Sequence, residues 1–210
     1  MITVEAFREL LSTTSPEAII NDHLLGGPTY LFLEDPAEEA SFKGQTAERL
    51  GIPPDAIHLV GSAKLGFSVD PAKFPRAFSP SSDIDLLVID ESLFDQLWSA
   101  ILRWHQPIRN RAGSGASDWA RKRRREIYWG CFDDPAQLGR ARLTAATALR
   151  PLRALSFRWF EAFRSLSVAI AGGRSIGARL YRTRDHAILY QRGGLAELRD
   201  RVSRESGVER

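Results

Sequence analysis

The chain has one cysteine, one methionine and four histidines among its 210 residues. A single cysteine, Cys131, excludes an intramolecular disulfide and with it the stapled secreted scaffolds. It has no accompanying motif and reads as structural. His23, His58, His105 and His186 lie far apart and show no zinc-ligand spacing. No apolar run approaches the length of a membrane span. The opening MITVEAFREL lacks a basic segment followed by a long apolar one, so no leader is expected. Internal repeats and low-complexity tracts are also missing. These absences lead to the expectation of a cytoplasmic protein without membrane contact.

What is present suits one sizeable core. The composition is 43% hydrophobic and 26% charged, which is the globular range. The 29 basic residues exceed the 26 acidic ones by a net +3, and most are arginine. Arginine binds phosphate in a forked geometry that lysine cannot copy. A nucleotide or nucleic-acid partner is compatible with that balance.

Periodicity predicts an α/β fold. Ser15, Pro16 and the Gly26-Gly27 stop frame one helix, and residues 36–52 continue helical to about Gly51. Leu93, Phe94, Leu97, Ile101 and Trp104 recur at helical spacing over 91–105. Further helices are expected over 118–130, 155–170 and 184–202, the last with a weak point at Gly193-Gly194. Three strands are expected, around 57–61, 84–89 and 175–182. Residues 69–82 carry three prolines and read as a loop. The expected architecture is a small mixed sheet flanked by helices, with a helical C-terminal half. It forms one domain over 1–210, with a core at 50–105 and 172–190 and a helical insertion at about 106–170. The tail from residue 203 is expected to fray.

The stretch GSAKLGFSVDPAKFPRAFSPSSDIDLLVID, Gly61 to Asp90, carries the chemistry. Asp83 and Asp85 open an otherwise apolar strand. Residues two apart share a strand face, so both carboxylates project opposite Ile84 and Leu86. Two close carboxylates repel unless a cation sits between them. A hard divalent ion prefers oxygen ligands, and Mg²⁺ takes one or two carboxylates plus substrate phosphates. Upstream, Gly61-Ser62 ends a strand. Glycine lets backbone N–H groups approach a ligand closely, which suits phosphate. Ser62 is either a phosphate donor or a simple turn residue, and Lys64 either neutralises phosphate or is solvated.

On Val60, Gly61, Ser62, Asp83, Ile84, Asp85 and Leu86 the chain resembles the polymerase-β-like nucleotidyltransferases, whose signature is an apolar residue, Gly-Ser, a spacer and Asp-x-Asp in a strand. The resemblance implies a nucleotidyltransferase core in which Gly61, Ser62, Lys64 and Ser82 bind the nucleotide. Asp83 and Asp85 would be catalytic and hold Mg²⁺, or Mn²⁺ in its place. The implied reaction moves a nucleoside monophosphate from an NTP or dNTP to a hydroxyl on a nucleotide, a nucleic-acid end or a protein. The wider chain also resembles a group of small bacterial proteins with GSA(K/R)LGFS, SDID and a later LYR element, which links it to antiviral defence. Two departures stand out. Twenty residues separate Ser62 from Asp83, where a shorter spacer is usual; loop closure tolerates this. The third carboxylate expected on a neighbouring strand is missing from SIGARLYRT. Asp185 and the Asp133-Asp134 pair are the candidates to replace it, Asp185 first, and Asp90 faces the site only weakly. Without a third acid the alternative is a nucleotide-binding or antitoxin-like regulatory partner of another protein.

Other residues keep two readings. Arg121 to Arg125 form either a solvated helix surface or a contact for phosphate or nucleic acid. Arg179 and Arg182 either reach a triphosphate or pair with acids, the second being favoured for Arg182. Trp104, Trp119, Trp129 and Trp159 read as core packing.

Overall fold

In a computed structural model, the chain is described over residues 1–106, 115–135, 149–169, 171–205 and 207. Four strands form one mixed sheet: β1 (Ile57–Val60), β2 (Ile84–Ile89), β3 (Cys131–Phe132) and β4 (Ile176–Tyr181). Their spatial order is β1-β2-β4-β3. β1 runs antiparallel to β2, β2 parallel to β4, and β3 antiparallel to β4. The three expected strands are present within a residue of their expected ends. β3 is the addition. It lies inside the expected helical insertion, so that segment contributes to the sheet itself.

The sheet is covered on both faces. Ile57, Leu59, Ile84, Leu86, Val88, Phe132 and Leu180 point to one side. There they pack on α3 (Pro36–Leu50), α5 (Glu91–His105) and α7 (Arg150–Ala169) through residues such as Phe42, Phe94 and the fully buried Trp159. The opposite face carries Leu87, Cys131 and Tyr181. These pack on α1 (Val4–Thr13), on α2 (Pro16–Ile19) with its π-helical continuation Ile20–Leu25, and on α8 (Arg184–Glu205). The alternation of the strands thus divides the apolar residues between two cores. The architecture is mixed α/β with flanking helices. α7 supplies Leu152, Leu155 and Leu166 to the first core, so it is not an appendage.

Helix ends follow their capping chemistry. The Asp35 carboxylate accepts from Ala37 and Glu38 N–H at 2.9 and 3.1 Å, Pro36 opens α3, and Gly51 closes it at φ 69°. Asp90 accepts from Leu93 N–H at 2.8 Å and caps α5, which is its role in place of any metal. α8 runs through Gly193-Gly194 without a break, held by Leu195 and Leu198 in the second core.

The spacer after Gly-Ser is ordered. Phe67 and Ala77 form a bridge, and Ser68 N–H and Phe78 N–H donate to the Arg76 and Gly66 carbonyls, each at 2.8 Å. Phe67 and Phe74 pack edge-on at 6.1 Å, and both lie against Phe7 of α1. Burying one such phenyl group contributes about 1.5–3 kcal/mol. Arg201 of α8 donates to the Pro71 carbonyl. The extra length therefore makes a pinned hairpin-like flap beside the sheet end where the carboxylates lie. Among the described residues no helix is long and apolar enough to cross a membrane.

Candidate active site

A cleft of about 720 Å³ opens at the end of the sheet where β1 stops and β2 and β4 begin. Its walls include Gly61, Ser62, Ser82, Asp83 and Asp85, together with Asp70, Lys73 and Arg76 from the flap. The far wall holds Asp133, Asp134, Arg179 and Tyr190.

β1 delivers Gly61 to this place. Val60 pairs with Asp85, so the residue after Val60 turns directly over that carboxylate. Gly61 has φ 66°, a left-handed conformation natural to glycine. A Cβ there would lie 3.1 Å from Asp85 Oδ2. Twenty-four positions apart in sequence, the Gly-Ser turn and the carboxylate touch. Ser62 follows in the short helix α4 (Gly61–Leu65) and stays half-exposed to the cleft.

Asp83 and Asp85 line the same cleft. Asp85 is open to it, yet its pKa is raised. The surrounding walls desolvate the carboxylate, and the Asp83 charge adds to this; Arg179 and Lys73 work in the opposite direction. Ser82 is buried, and its hydroxyl accepts from Ser79 N–H at 3.0 Å. It organises the turn before Asp83.

Lys64 is a correction. Its ammonium donates to the Gly27 carbonyl at 2.6 Å and lies 3.4 Å from Thr29 Oγ1. It is buried, burial lowers its pKa, and it does not line the cleft. A helix turns about 100° per residue, so Lys64 points about 200° away from Ser62. The cations that do line the cleft are Lys73, Arg76 and Arg179. The first two lie between the Gly-Ser and Asp-x-Asp elements, and that position was the one signal for them in the sequence.

Across the sheet, the register explains the missing third acid. Gly177 of β4 pairs with Asp85, and Arg179 is the next residue of β4 on that face. Neither is acidic. One strand further out, Asp133 follows β3 and reaches back, its Oδ1 lying 3.5 Å from Arg179 Nε. The Tyr190 hydroxyl donates to the same oxygen at 3.5 Å, and the Arg179 guanidinium lies over the Tyr190 ring at 4.8 Å. Asp185 stays outside the cleft, exposed in the first turn of α8. Arg182 also points elsewhere. It grips Asp95 at 2.8 and 3.1 Å and Glu91 at 2.7 Å, and holds the Asp95 pKa down.

Among the described residues no group of three His, Cys, Asp or Glu side chains is close enough to hold a metal ion. The donor set is the Asp83-Asp85 pair, which with phosphate oxygens from a substrate matches the way Mg²⁺ is bound. The space left by the absent Gly61 Cβ beside Asp85 suits such a ligand. Comparisons with family models, with curated proteins and with solved structures each return no match for the chain.

Proposed function

We propose that the cleft binds a nucleoside triphosphate with Mg²⁺ and transfers its nucleoside monophosphate to a hydroxyl acceptor, as the polymerase-β-like signature implies. The observation that carries this reading is the meeting of Gly61-Ser62 with Asp83 and Asp85 at one sheet end, with Gly61 held against Asp85 in a conformation suited to glycine. The Asp pair would hold the ion, which when bound supplies positive charge to the phosphate oxygens. The Gly61-Ser62 turn would lie along the triphosphate, and Lys73, Arg76 and Arg179 would neutralise its outer oxygens. The acceptor hydroxyl oxygen bonds to the α-phosphorus, the bond to the bridging oxygen of the β-phosphate breaks, and pyrophosphate leaves. Of the two far-wall carboxylates, Asp133, which Arg179 and Tyr190 orient, would take the hydroxyl proton.

A second reading has its own observation. Arg179 stands on the face of β4 next to Gly177, on the strand where an acid would be expected, and is paired with Asp133. That arrangement favours a chain that binds nucleotide and turns it over slowly or not at all, in the manner of a regulatory partner. The two readings separate in one experiment. The purified protein is incubated with each labelled NTP and dNTP and Mg²⁺, beside Asp85→Ala and Asp133→Asn. Transfer that is lost in both variants supports the enzyme. Tight nucleotide binding without transfer supports the partner. Absence of both binding and transfer with every nucleotide refutes the site.

A further inference from the structure

The basic run has a definite geometry on α6 (Gly115–Tyr128). Arg123 and Glu126 turn inward, both buried, and pair at 2.8 Å. Arg123 also lies over the Trp119 ring at 5.6 Å. The outward face carries Arg121, Lys122, Arg124 and Arg125, all exposed. Arg124 and Arg125 have no acidic partner among the described residues. Glu126 is the only acid between Trp119 and Trp129, and it is consumed by the buried pair. Lys122, Arg124 and Arg125 therefore keep their positive charge. It ends on Tyr128 and Trp129, which are 79% and 50% exposed and stand edge-on to each other at 5.4 Å. Helical spacing puts Tyr128 three and four residues after Arg125 and Arg124, and Trp129 four after Arg125. Trp129 is thus not a core residue, whereas Trp159 is.

We infer that the outer face of α6, with Tyr128 and Trp129, is a docking surface for a single-stranded nucleic acid. A row of cations tracks a phosphate backbone, and exposed aromatic rings stack on unpaired bases whatever their sequence. A membrane surface fits less well, because the inner face of α6 is already turned into the fold at Trp119, Arg123 and Ile127 and no apolar face is left to insert. A duplex also fits less well, because its bases are not free to stack on the two rings. Trp129 leads through Gly130 into β3, and Gly130 O accepts from Arg182 N–H at 2.9 Å, which ties this end of α6 to β4. Asp133 lies five positions after Tyr128, a reach of at most about 17 Å. A strand stacked there has an end close enough to serve as the hydroxyl acceptor. That last step rests on the transferase reading; the docking surface does not.

The test uses the full chain and fluorescently labelled oligonucleotides of mixed sequence, as single-stranded RNA, single-stranded DNA and duplex, read by anisotropy. Three neutralised phosphates on a single strand give a slope of about −2 for log affinity against log salt, or about 20-fold weaker binding at 200 than at 50 mM. The triple variant Lys122→Ala, Arg124→Ala, Arg125→Ala is expected to flatten that slope. Trp129→Ala is expected to weaken binding at least about fivefold, and Trp129→Phe to restore it, since a ring remains. Binding of either single strand with these properties supports the surface. It is overturned by absent or salt-insensitive binding, by equal or tighter binding of duplex, by anionic vesicles outcompeting the oligonucleotide, or by full affinity in the triple variant. Nucleotide binding at the cleft, measured by calorimetry on the same variants, is expected to be unchanged. Its absence from the wild type would refute the transferase reading and leave the docking result standing.

Discussion

Replacing Gly61 with alanine tests the point on which the site is built. Two costs arise from the structure. At φ 66° an alanine is strained, and the left-handed region costs an L-residue about 1–2 kcal/mol. The new Cβ would also lie 3.1 Å from Asp85 Oδ2, so the carboxylate must give by a few tenths of an ångström. For a domain of this size each kcal/mol moves the melting temperature by about 2–4 °C, so the expected loss is about 2–8 °C. Displacing a carboxylate to which the proposed reading assigns Mg²⁺ has a separate effect. Disturbing the groups that orient a metal ligand costs about 10–100-fold in affinity, and Mg²⁺-dependent nucleotide binding is expected to fall by that factor. Gly193→Ala is the control. It lies inside α8 with nothing within 4 Å of the added methyl, and alanine is the better helix former by about 1 kcal/mol. It is expected to melt about 2–4 °C higher and to bind nucleotide as before. Calorimetric melting and titration give both numbers for each variant. A Gly61→Ala protein that melts with the wild type and binds nucleotide equally well would refute the claim that this close approach is functional.

Two further predictions follow from charge. The raised Asp85 pKa means that the folded state disfavours its ionised form, so this group opposes folding increasingly as pH rises above the ordinary carboxylate range. Metal-free Asp85→Asn is therefore expected to melt higher than the wild type at neutral pH, with the gap closing as pH falls toward 3.8, and to lack the stabilisation by Mg²⁺ with nucleotide that the proposed function predicts for the wild type. Thermal melts at several pH values, with and without ligand, check both parts. Lys64→Met removes the buried ammonium that Gly27 accepts, while the cleft is untouched. It is expected to change stability but leave nucleotide affinity within about twofold, whereas Lys73→Ala weakens affinity by about tenfold for one phosphate contact of about 1.4 kcal/mol.

The sheet was legible because its strands carry strong alternation and apolar runs; the Asp-x-Asp pair was legible because period-2 spacing fixes a shared face. Helix ends were legible where a capping residue or a stopping glycine marks the pattern, as at Ser15 and Gly51. β3 was not, because two residues, Cys131 and Phe132, show no period at all. The π-helical turn over Ile20–Leu25 shares its apolar spacing with an ordinary helix. The flap read as a loop from its prolines. Its order comes from Phe67 and Phe74 meeting Phe7, a contact made across some 60 residues that local propensity does not encode. Lys64 was misplaced for a related reason. Its distance from Ser62 is obvious in sequence, but its direction depends on α4 being helical.

The third carboxylate shows most clearly where reading along the chain stops. A search for an acid on the strand beside β2 tests 176–181 and finds none, and a residue following that strand, Asp185, then becomes the natural substitute. The sheet order changes the question. Because β4 carries Gly177 opposite Asp85, the surface between β2 and the far strand is not filled by a side chain at that position. A carboxylate one strand further out can then share the cleft, and Asp133 does so, while Asp185 is carried away by the first turn of α8. Asp133 stands exposed at the edge of the sheet, with Arg179 and Tyr190 both turned to its Oδ1 at 3.5 Å, and these two contacts orient the carboxylate. An edge strand of two residues has little ladder of its own to hold such a group in place, and the cross-strand pair to Arg179 supplies what the hydrogen bonds of β3 do not.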